Sequence, residues 1–176
     1  MEIWDLHDKD RVKTGGTMVR GKENPTNGEY RIIVCIVVFN SKGQMLIQQR
    51  QPFKESWPGF WDITAGGSAV SGDTSQMAAA RELLEEVGIR ADFSDTPPHF
   101  TINTIWTFCD FYLVEKDVNI DNLQLQQDEV AQVKWATKQE IFEMMDDGSF
   151  VPYQDGVIEL CFSLNARRRM LKYDEE

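Results

Sequence analysis

The chain has little of what disulfide-stapled, zinc-finger or membrane proteins are built from. Cysteine is scarce: Cys35, Cys109 and Cys161 are the only three in 176 residues. Their number is odd, no Cys-x-x-Cys spacing occurs, and each lies inside an apolar stretch, so the reading is buried reduced thiols rather than a disulfide framework or a thiolate zinc site. The two histidines, His7 and His99, stand far apart without ligand spacing and are assigned no role. No apolar run approaches the roughly 20 residues that cross a bilayer. The start Met1-Glu2-Ile3-Trp4-Asp5 lacks the basic and apolar regions of a signal peptide, so no membrane partner is expected and the expected compartment is the reducing cytoplasm. Basic residues are short as well, 18 against 29 acidic ones for a formal charge of −11. Such a surface field repels a nucleic acid polymer. A small anionic substrate stays compatible, because a bound divalent cation locally inverts the sign of the field. Repeats, low-complexity tracts and inter-domain linkers are absent from the sequence.

What is present is enough apolar material for a core, 41% hydrophobic and 11% aromatic residues. The expectation is one domain over 1–176, made of an N-terminal strand and loop extension (1–29), a core (30–145) and a C-terminal helix (146–176). The β-branched run 31–39 predicts a strand buried on both faces, and the turn 40–43 leads into a second strand at 44–50, a hairpin. Residues 52–59 read as a loop with exposed aromatics. Residues 60–65 read as a short strand ending at Gly66-Gly67. Residues 101–114 form one long β-prone stretch, and another strand is expected near 130–135. Helices are predicted at 75–87, capped by Thr74 and ended by Gly88, at 138–145 behind the capping box Thr137-Lys138-Gln139-Glu140, and at 156–171. The pattern is an α+β fold with a mixed β-sheet and flanking helices.

The helix at 75–87 concentrates the chemistry. Glu82, Glu85 and Glu86 stand at i, i+3 and i+4 and so share one face, while Met77, Ala80, Leu83, Leu84 and Val87 form the opposite, sheet-packing arc. Like charges this close repel, by a few tenths of a kcal/mol per exposed pair. Arg81 offsets one carboxylate at i+4, and the excess suits a hard divalent cation with oxygen ligands, Mg²⁺ or Mn²⁺. Spacing alone is equally compatible with a solvated acidic face.

The segment from Gly67 to Ile89 resembles the Nudix box, Gly-x5-Glu-x7-Arg-Glu-apolar-x-Glu-Glu-x-Gly-apolar. Gly67, Arg81, Glu82, Leu83, Glu85, Glu86, Gly88 and Ile89 fall in register, eight specified positions over 23 residues. Asp73 stands where the family has glutamate. In the family that acid orients the box arginine, which implies a structural role for Asp73 beside Gly67 and Gly88. The stretch 40–50, the segment Trp57-Pro58-Gly59-Phe60-Trp61-Asp62 and the later Glu129-Val130 and Trp135-Ala136-Thr137 are similar to corresponding parts of Nudix domains. The resemblance thus covers roughly residues 30–145.

It implies a Nudix-type α/β/α sandwich and a Mg²⁺-dependent hydrolase that cleaves a diphosphate linkage in a nucleoside diphosphate-X or related small molecule. Glu85 and Glu86 are implied as metal ligands, Gly66 as donor of a backbone carbonyl, Glu82 as a ligand or the base that activates water, and Glu129 as a distal ligand or a plain surface acid. Glu82, Glu85 and Arg81 form the implied catalytic set. From their place on and after a strand feeding the same pocket, Arg50 and Lys54 are candidates for contacting substrate phosphate or plain solvated surface charges, and Trp61, with Trp57 and Phe60, lines the substrate pocket or belongs to the core. The branch is similar to isopentenyl-diphosphate isomerase. That enzyme's cysteine position is Gly66 in this sequence, its adjacent histidine is Ser68, its histidine-arginine pair is Tyr30-Arg31, and its acid falls near Thr107. Glycine and threonine cannot perform the acid-base work, which speaks against isomerisation. A catalytically weak diphosphate-binding module is the other alternative. Arg167-Arg168-Arg169 reads as a solvated face or a homodimer contact.

Overall fold

The computed structural model describes residues 2–22, 24–26, 28–154 and 156–170, without the side chains of 168–170. Arg168, Arg169 and Leu171 therefore lie outside the side chains it describes. Strands β1 (Ile3–His7) and β2 (Lys13–Val19) form a two-stranded antiparallel sheet. A second sheet takes in seven strands among the described residues: β3 (Arg31–Phe39), β4 (Met45–Arg50), β5 (Trp61–Asp62), β6 (Ala65–Ser68), β7 (Phe100–Asn103), β8 (Thr107–Glu115) and β9 (Val130–Ala136). The pairs β3–β6, β4–β9 and β7–β8 are antiparallel, and an isolated parallel bridge links Trp61 of β5 to Phe150. The helices are α1 (Ser75–Val87), α2 (Lys138–Asp146) and α3 (Val157–Met170). No helix of the described residues is long and apolar enough to cross a membrane.

The chain forms two compact units, with boundaries falling inside β3, α1 and β8. In the first unit, the backbone of β3 from Ile33 to Ile36 pairs with Ser68 to Ala65 of β6, and β7 pairs with β8 from Phe100↔Phe111 to Asn103↔Phe108. Val34, Ile36, Ala65, Ala78, Ala79, Leu83 and Tyr112 are fully buried in it. Each large aliphatic side chain so placed contributes about 1.5–3 kcal/mol. Trp4, Leu6 and Met18 give the β1–β2 hairpin its own small core. The hairpin is tied to neighbouring chain by Ser71 N–H donating to the Ile3 carbonyl at 2.7 Å and by reciprocal backbone bonds of His7 and Tyr30 at 2.8 Å.

Helix α1 begins where the side chain of Thr74 accepts from Met77 N–H at 3.2 Å, satisfying a first-turn donor. Ser75 next to it donates to Asp110 at 2.6 Å. Asp110 has no solvent exposure and also receives Thr101 at 2.7 Å and the Arg11 guanidinium at 2.9 and 2.5 Å. A buried carboxylate left unpaired would be costly, and four charge-assisted hydrogen bonds offset that cost.

In the second unit, β4 pairs with β9 from Met45↔Ala136 to Arg50↔Val130 and with β5 at Gln48↔Asp62 and Gln49↔Trp61. Phe39, Met45, Leu46, Ile47, Ile141 and Phe150 make its core. Helix α2 carries the expected capping box, with Thr137 and Glu140 bonded reciprocally. Gly88 takes φ +71°, and a Cβ on it would lie 3.0 Å from the Gln124 nitrogen, so both conformation and space require glycine.

The β-prone stretch 101–114 is strand on both sides of one turn: Thr104 accepts from Thr107 N–H through its hydroxyl at 3.0 Å and turns the chain, giving the β7–β8 hairpin. Two expectations need correcting. Met77 and Leu84, expected on the sheet-packing arc of α1, are exposed, and Ala78, Ala79 and Glu86 are buried along with Leu83 and Val87 instead. Residues 60–65 are not one strand ending at the glycines. Asp62 takes the Ile63 N–H at 2.8 Å, and Thr64 takes the Val38 N–H at 2.8 Å and donates to the Leu46 carbonyl at 2.5 Å. Side chains thus occupy positions a ladder would fill, and Gly66 and Gly67 lie inside β6.

Candidate active site

In the first unit, Arg81 organises the acids. Its guanidinium donates to Asp73 at 3.1 and 3.2 Å, to Glu82 at 2.7 Å, to Glu85 at 3.3 Å and to the Ser68 carbonyl at 3.1 Å. Asp73, shorter than glutamate by one methylene, still reaches it. The turn that presents Asp73 is clamped from β1: Asp5 receives Ser71 Oγ at 2.6 Å, Gly72 N–H at 3.1 Å and Lys13 at 2.6 Å. Its hydrogen bond from Lys13, followed by that from Ser71, holds the Asp5 carboxyl down at about 2. Nothing in the spacing of the sequence pointed to Asp5 as the clamp of this turn, because Ser71 and Gly72 lie more than sixty positions away.

Glu82 is the most constrained of the acids, its side chain 12% exposed against 51% for Glu85. It occupies the space a side chain at position 67 would fill: a Cβ on Gly67 would stand 2.4 Å from the Glu82 carboxyl carbon and 2.4 Å from one of its oxygens. Burial pushes the Glu82 carboxyl above the ordinary glutamate range, Arg81 pulls it down, and Glu85 pushes it further up. Gly66 is glycine for another reason, since a Cβ there would lie 2.9 Å from the Val34 carbonyl oxygen across the β3–β6 ladder.

In the second unit, Glu86 is buried and receives the Gln48 amide at 2.7 Å. Arg50 donates to the Ser56 carbonyl at 3.0 Å and faces Asp62 at 3.6 Å. Lys54 pairs with Glu129 at 2.6 Å. The two cations read as phosphate contacts therefore hold carboxylate partners of their own. Trp61 lies under Lys134 at 4.6 Å, and Trp57, at φ +51°, packs edge-on to Phe60 at 5.3 Å. Asp62, unassigned from sequence, accepts from Tyr153 OH at 2.6 Å, and burial raises its pKa.

The donor set suits a hard divalent cation. All side-chain donors on the α1 face are carboxylate oxygens, and Arg81 meets three acids, so one positive charge faces three negative ones. Among the described residues no three histidine, cysteine or acidic side chains stand together as a finished metal cage. Arg81 and Gln48 engage the acids instead, and the half-exposed Glu85, at the longest of the Arg81 contacts, is the one most easily redirected.

The model of the NUDIX domain family matches residues 29–156. The chain is 44% identical over 153 residues to an uncharacterized Nudix hydrolase of Listeria monocytogenes, covering 87% of this chain and 90% of that one. It is 26% identical over 149 residues to an isopentenyl-diphosphate Delta-isomerase of Corynebacterium diphtheriae, covering 78% of this chain and 80% of that one. The crystal structure of DR0079 from Deinococcus radiodurans superposes with a TM-score of 0.72 at 22% identity, over 91% of this chain and 97% of the other. That likeness extends the agreement to the fold: an α+β sandwich of the Nudix type.

Proposed function

Since the chain belongs to the Nudix family and is a hydrolase of that kind, we propose that it cleaves the diphosphate linkage of a nucleoside diphosphate-X or related small molecule with Mg²⁺ or Mn²⁺. The observation that carries the reading is the Glu82 carboxylate, seated against Gly67, gripped by Arg81 at 2.7 Å, and shifted by burial toward the range of a useful base. Glu82 takes the proton of a water whose oxygen bonds to phosphorus as the bridging P–O bond breaks, and the two phosphate-bearing fragments separate. Arg81 holds Glu82 in place, with Asp73 and the Ser68 carbonyl fixing the far side of the guanidinium. Glu85 and Glu86 would hold the cation. When bound, the cation shields phosphate charge and stabilises the leaving oxygen.

Isomerisation is the weaker reading. At Gly66 even a methyl group would crowd the Val34 carbonyl, and Thr107 spends its hydroxyl on Thr104 at 2.6 Å. The test is a screen of diphosphate compounds with Mg²⁺ or Mn²⁺, scored by phosphate or nucleotide release. Glu86→Gln should lose metal-dependent turnover while keeping its melting temperature within a few degrees, and Mn²⁺ bound by that variant, counted by electron paramagnetic resonance, should fall. Binding of a diphosphate without release of product from any of them would make the chain a binding module instead.

A further inference from the structure

The arginines of the first unit are not equivalent. Arg11 is neutralised by Asp110, Arg20 by Glu2 at 2.9 Å, and Arg81 by three acids. Arg31 has no carboxylate within ion-pair distance among the described residues. Its guanidinium carbon lies over the Trp4 ring, 4.3 Å from the centroid, and one of its nitrogens donates to Ser68 Oγ at 2.8 Å. A guanidinium has five N–H donors, and one side-chain hydrogen bond leaves most of that fork for another acceptor. The group is partly desolvated, and burial lowers its pKa, although a guanidinium stays charged throughout the accessible pH range. A half-buried guanidinium with no carboxylate in direct contact keeps charge and donors available to an anion.

Its position gives the anion an identity. Ser68 is shared: its hydroxyl accepts from Arg31 and its carbonyl accepts from Arg81. Arg31 thus stands one residue from Gly67, on which Glu82 rests. Glu2, whose charge is felt by Arg31, is also felt by Arg81 and Glu82. Trp4 and Glu2 come from the N-terminal hairpin segment, which lies outside residues 29–156 that match the family model. The geometry points to Arg31, propped on Trp4 and Ser68, as the residue that binds the non-bridging oxygens of the substrate's second phosphoryl group, the one farther from the α1 carboxylates. A diphosphate has two anionic centres, and the unit supplies two unlike places for them: an acid cluster that takes a phosphoryl group only through a cation, and a bare guanidinium that takes one directly by a bidentate fork. The inference rests on the diphosphate reading above and adds a residue to it.

Methylenediphosphonate, which cannot be cleaved at its P–C–P bridge, is the probe, titrated calorimetrically into the whole chain with Mg²⁺ present. Loss of hydrogen bonds to a charged group corresponds to about ten- to hundredfold in affinity. Arg31→Gln should weaken the probe by that factor, raise KM comparably on the best substrate of the screen and leave kcat within about threefold. Arg31→Lys, which keeps the charge and loses the fork, should recover part of the affinity, and it serves if Arg31→Gln fails to fold. Mn²⁺ binding should be unchanged in both variants. A lower melting temperature with an unaltered probe affinity in the folded variant would make Arg31 a structural prop and overturn the proposal. If the unmodified chain neither bound the probe nor cleaved any diphosphate, the functional reading would fall, and the role of Arg31 with it. Loss of Mn²⁺ binding in Arg31→Lys would also overturn it, since the residue would then be acting on the acid cluster.

Discussion

Adding one methyl group at position 67 isolates the contribution of Glu82 without touching Glu82 itself. The Cβ of Gly67→Ala would lie 2.4 Å from the Glu82 carboxyl carbon and 2.6 Å from its farther oxygen. Carbon atoms in contact normally stand about 3.5–4.0 Å apart, so the overlap is roughly 1 Å, too large for a small adjustment of a residue held in a strand. The carboxylate must leave, and its 2.7 Å bond to Arg81 goes with it. Overpacking of this kind costs about 1–3 kcal/mol, reduced because the displaced carboxylate regains solvent. Catalysis should suffer far more, since loss of a positioned general base lowers turnover about 10²–10⁴-fold. Steady-state kinetics on the substrate found by screening, with a melting curve alongside, reads both quantities. A double-mutant cycle settles the cause. Glu82→Ala vacates the space, so Gly67→Ala added to it should cost no further activity, a wholly non-additive pair. Full activity in Gly67→Ala, or an equal loss in both backgrounds, would refute the claim that the glycine exists to seat this carboxylate.

Two further expectations concern pH. Asp5 has a folded pKa of about 2 against 3.8 for the free side chain, so the unfolded chain takes up its proton first as pH falls. Its contribution to stability is complete above pH 3.8 and disappears as pH drops toward 2. Asp5→Asn should therefore flatten the acid-unfolding curve in that window, as followed by circular dichroism. Glu82 runs the other way. Its pKa is raised from 4.5 by burial, so its ionisation costs stability that is intact below 4.5 and lost as pH rises through the folded value. Glu82→Gln should melt higher relative to the unmodified chain at neutral pH than at pH 4, while being inactive. The acid limb of kcat/KM in the unmodified chain should likewise lie above the ordinary glutamate range, and a limb at or below 4.5 would remove Glu82 as the base.

Local chemistry was legible in the sequence. The helix at 75–87, its Thr74 cap, the glycine after it and the capping box at Thr137 all follow from contacts spanning a few residues, where propensity and hydrogen-bonding geometry decide together. The in-register box residues named the family for the same reason. What could not be read was pairing across long separations. Asp5 with Ser71, Gln48 with Glu86 and Asp62 with Tyr153 span 66, 38 and 91 positions, and no periodicity links such partners. Arg50 and Lys54 are read as phosphate candidates from their place on and after a strand, and their carboxylate neighbours Asp62 and Glu129 become visible only in the fold. Arg31 sits at the head of an apolar strand, where the resemblance aligned it with an arginine without giving it a role, and that it meets Trp4 and Ser68 and no carboxylate within ion-pair distance among the described residues becomes visible only in the fold.

The unequal grip of Arg81 on its acids indicates which of them an incoming cation takes. Glu82 is nearly buried and close to the guanidinium, and moving it would cost both that bond and its seat against Gly67. Asp73 meets the guanidinium through two nitrogens and is anchored in a turn that Asp5 clamps. Glu85 has one contact of 3.3 Å and half its side chain in water, so rotating it away from Arg81 sacrifices little. With Glu85 released, Arg81 retains Asp73 and Glu82 as partners, still one positive charge for two negative ones. On the proposed reading, with Glu82 as the base, the arginine is suited to remain a fixed brace while Glu85 turns from it toward a metal. That division explains why a helix can carry clustered carboxylates and an arginine in their midst without the arginine cancelling the site.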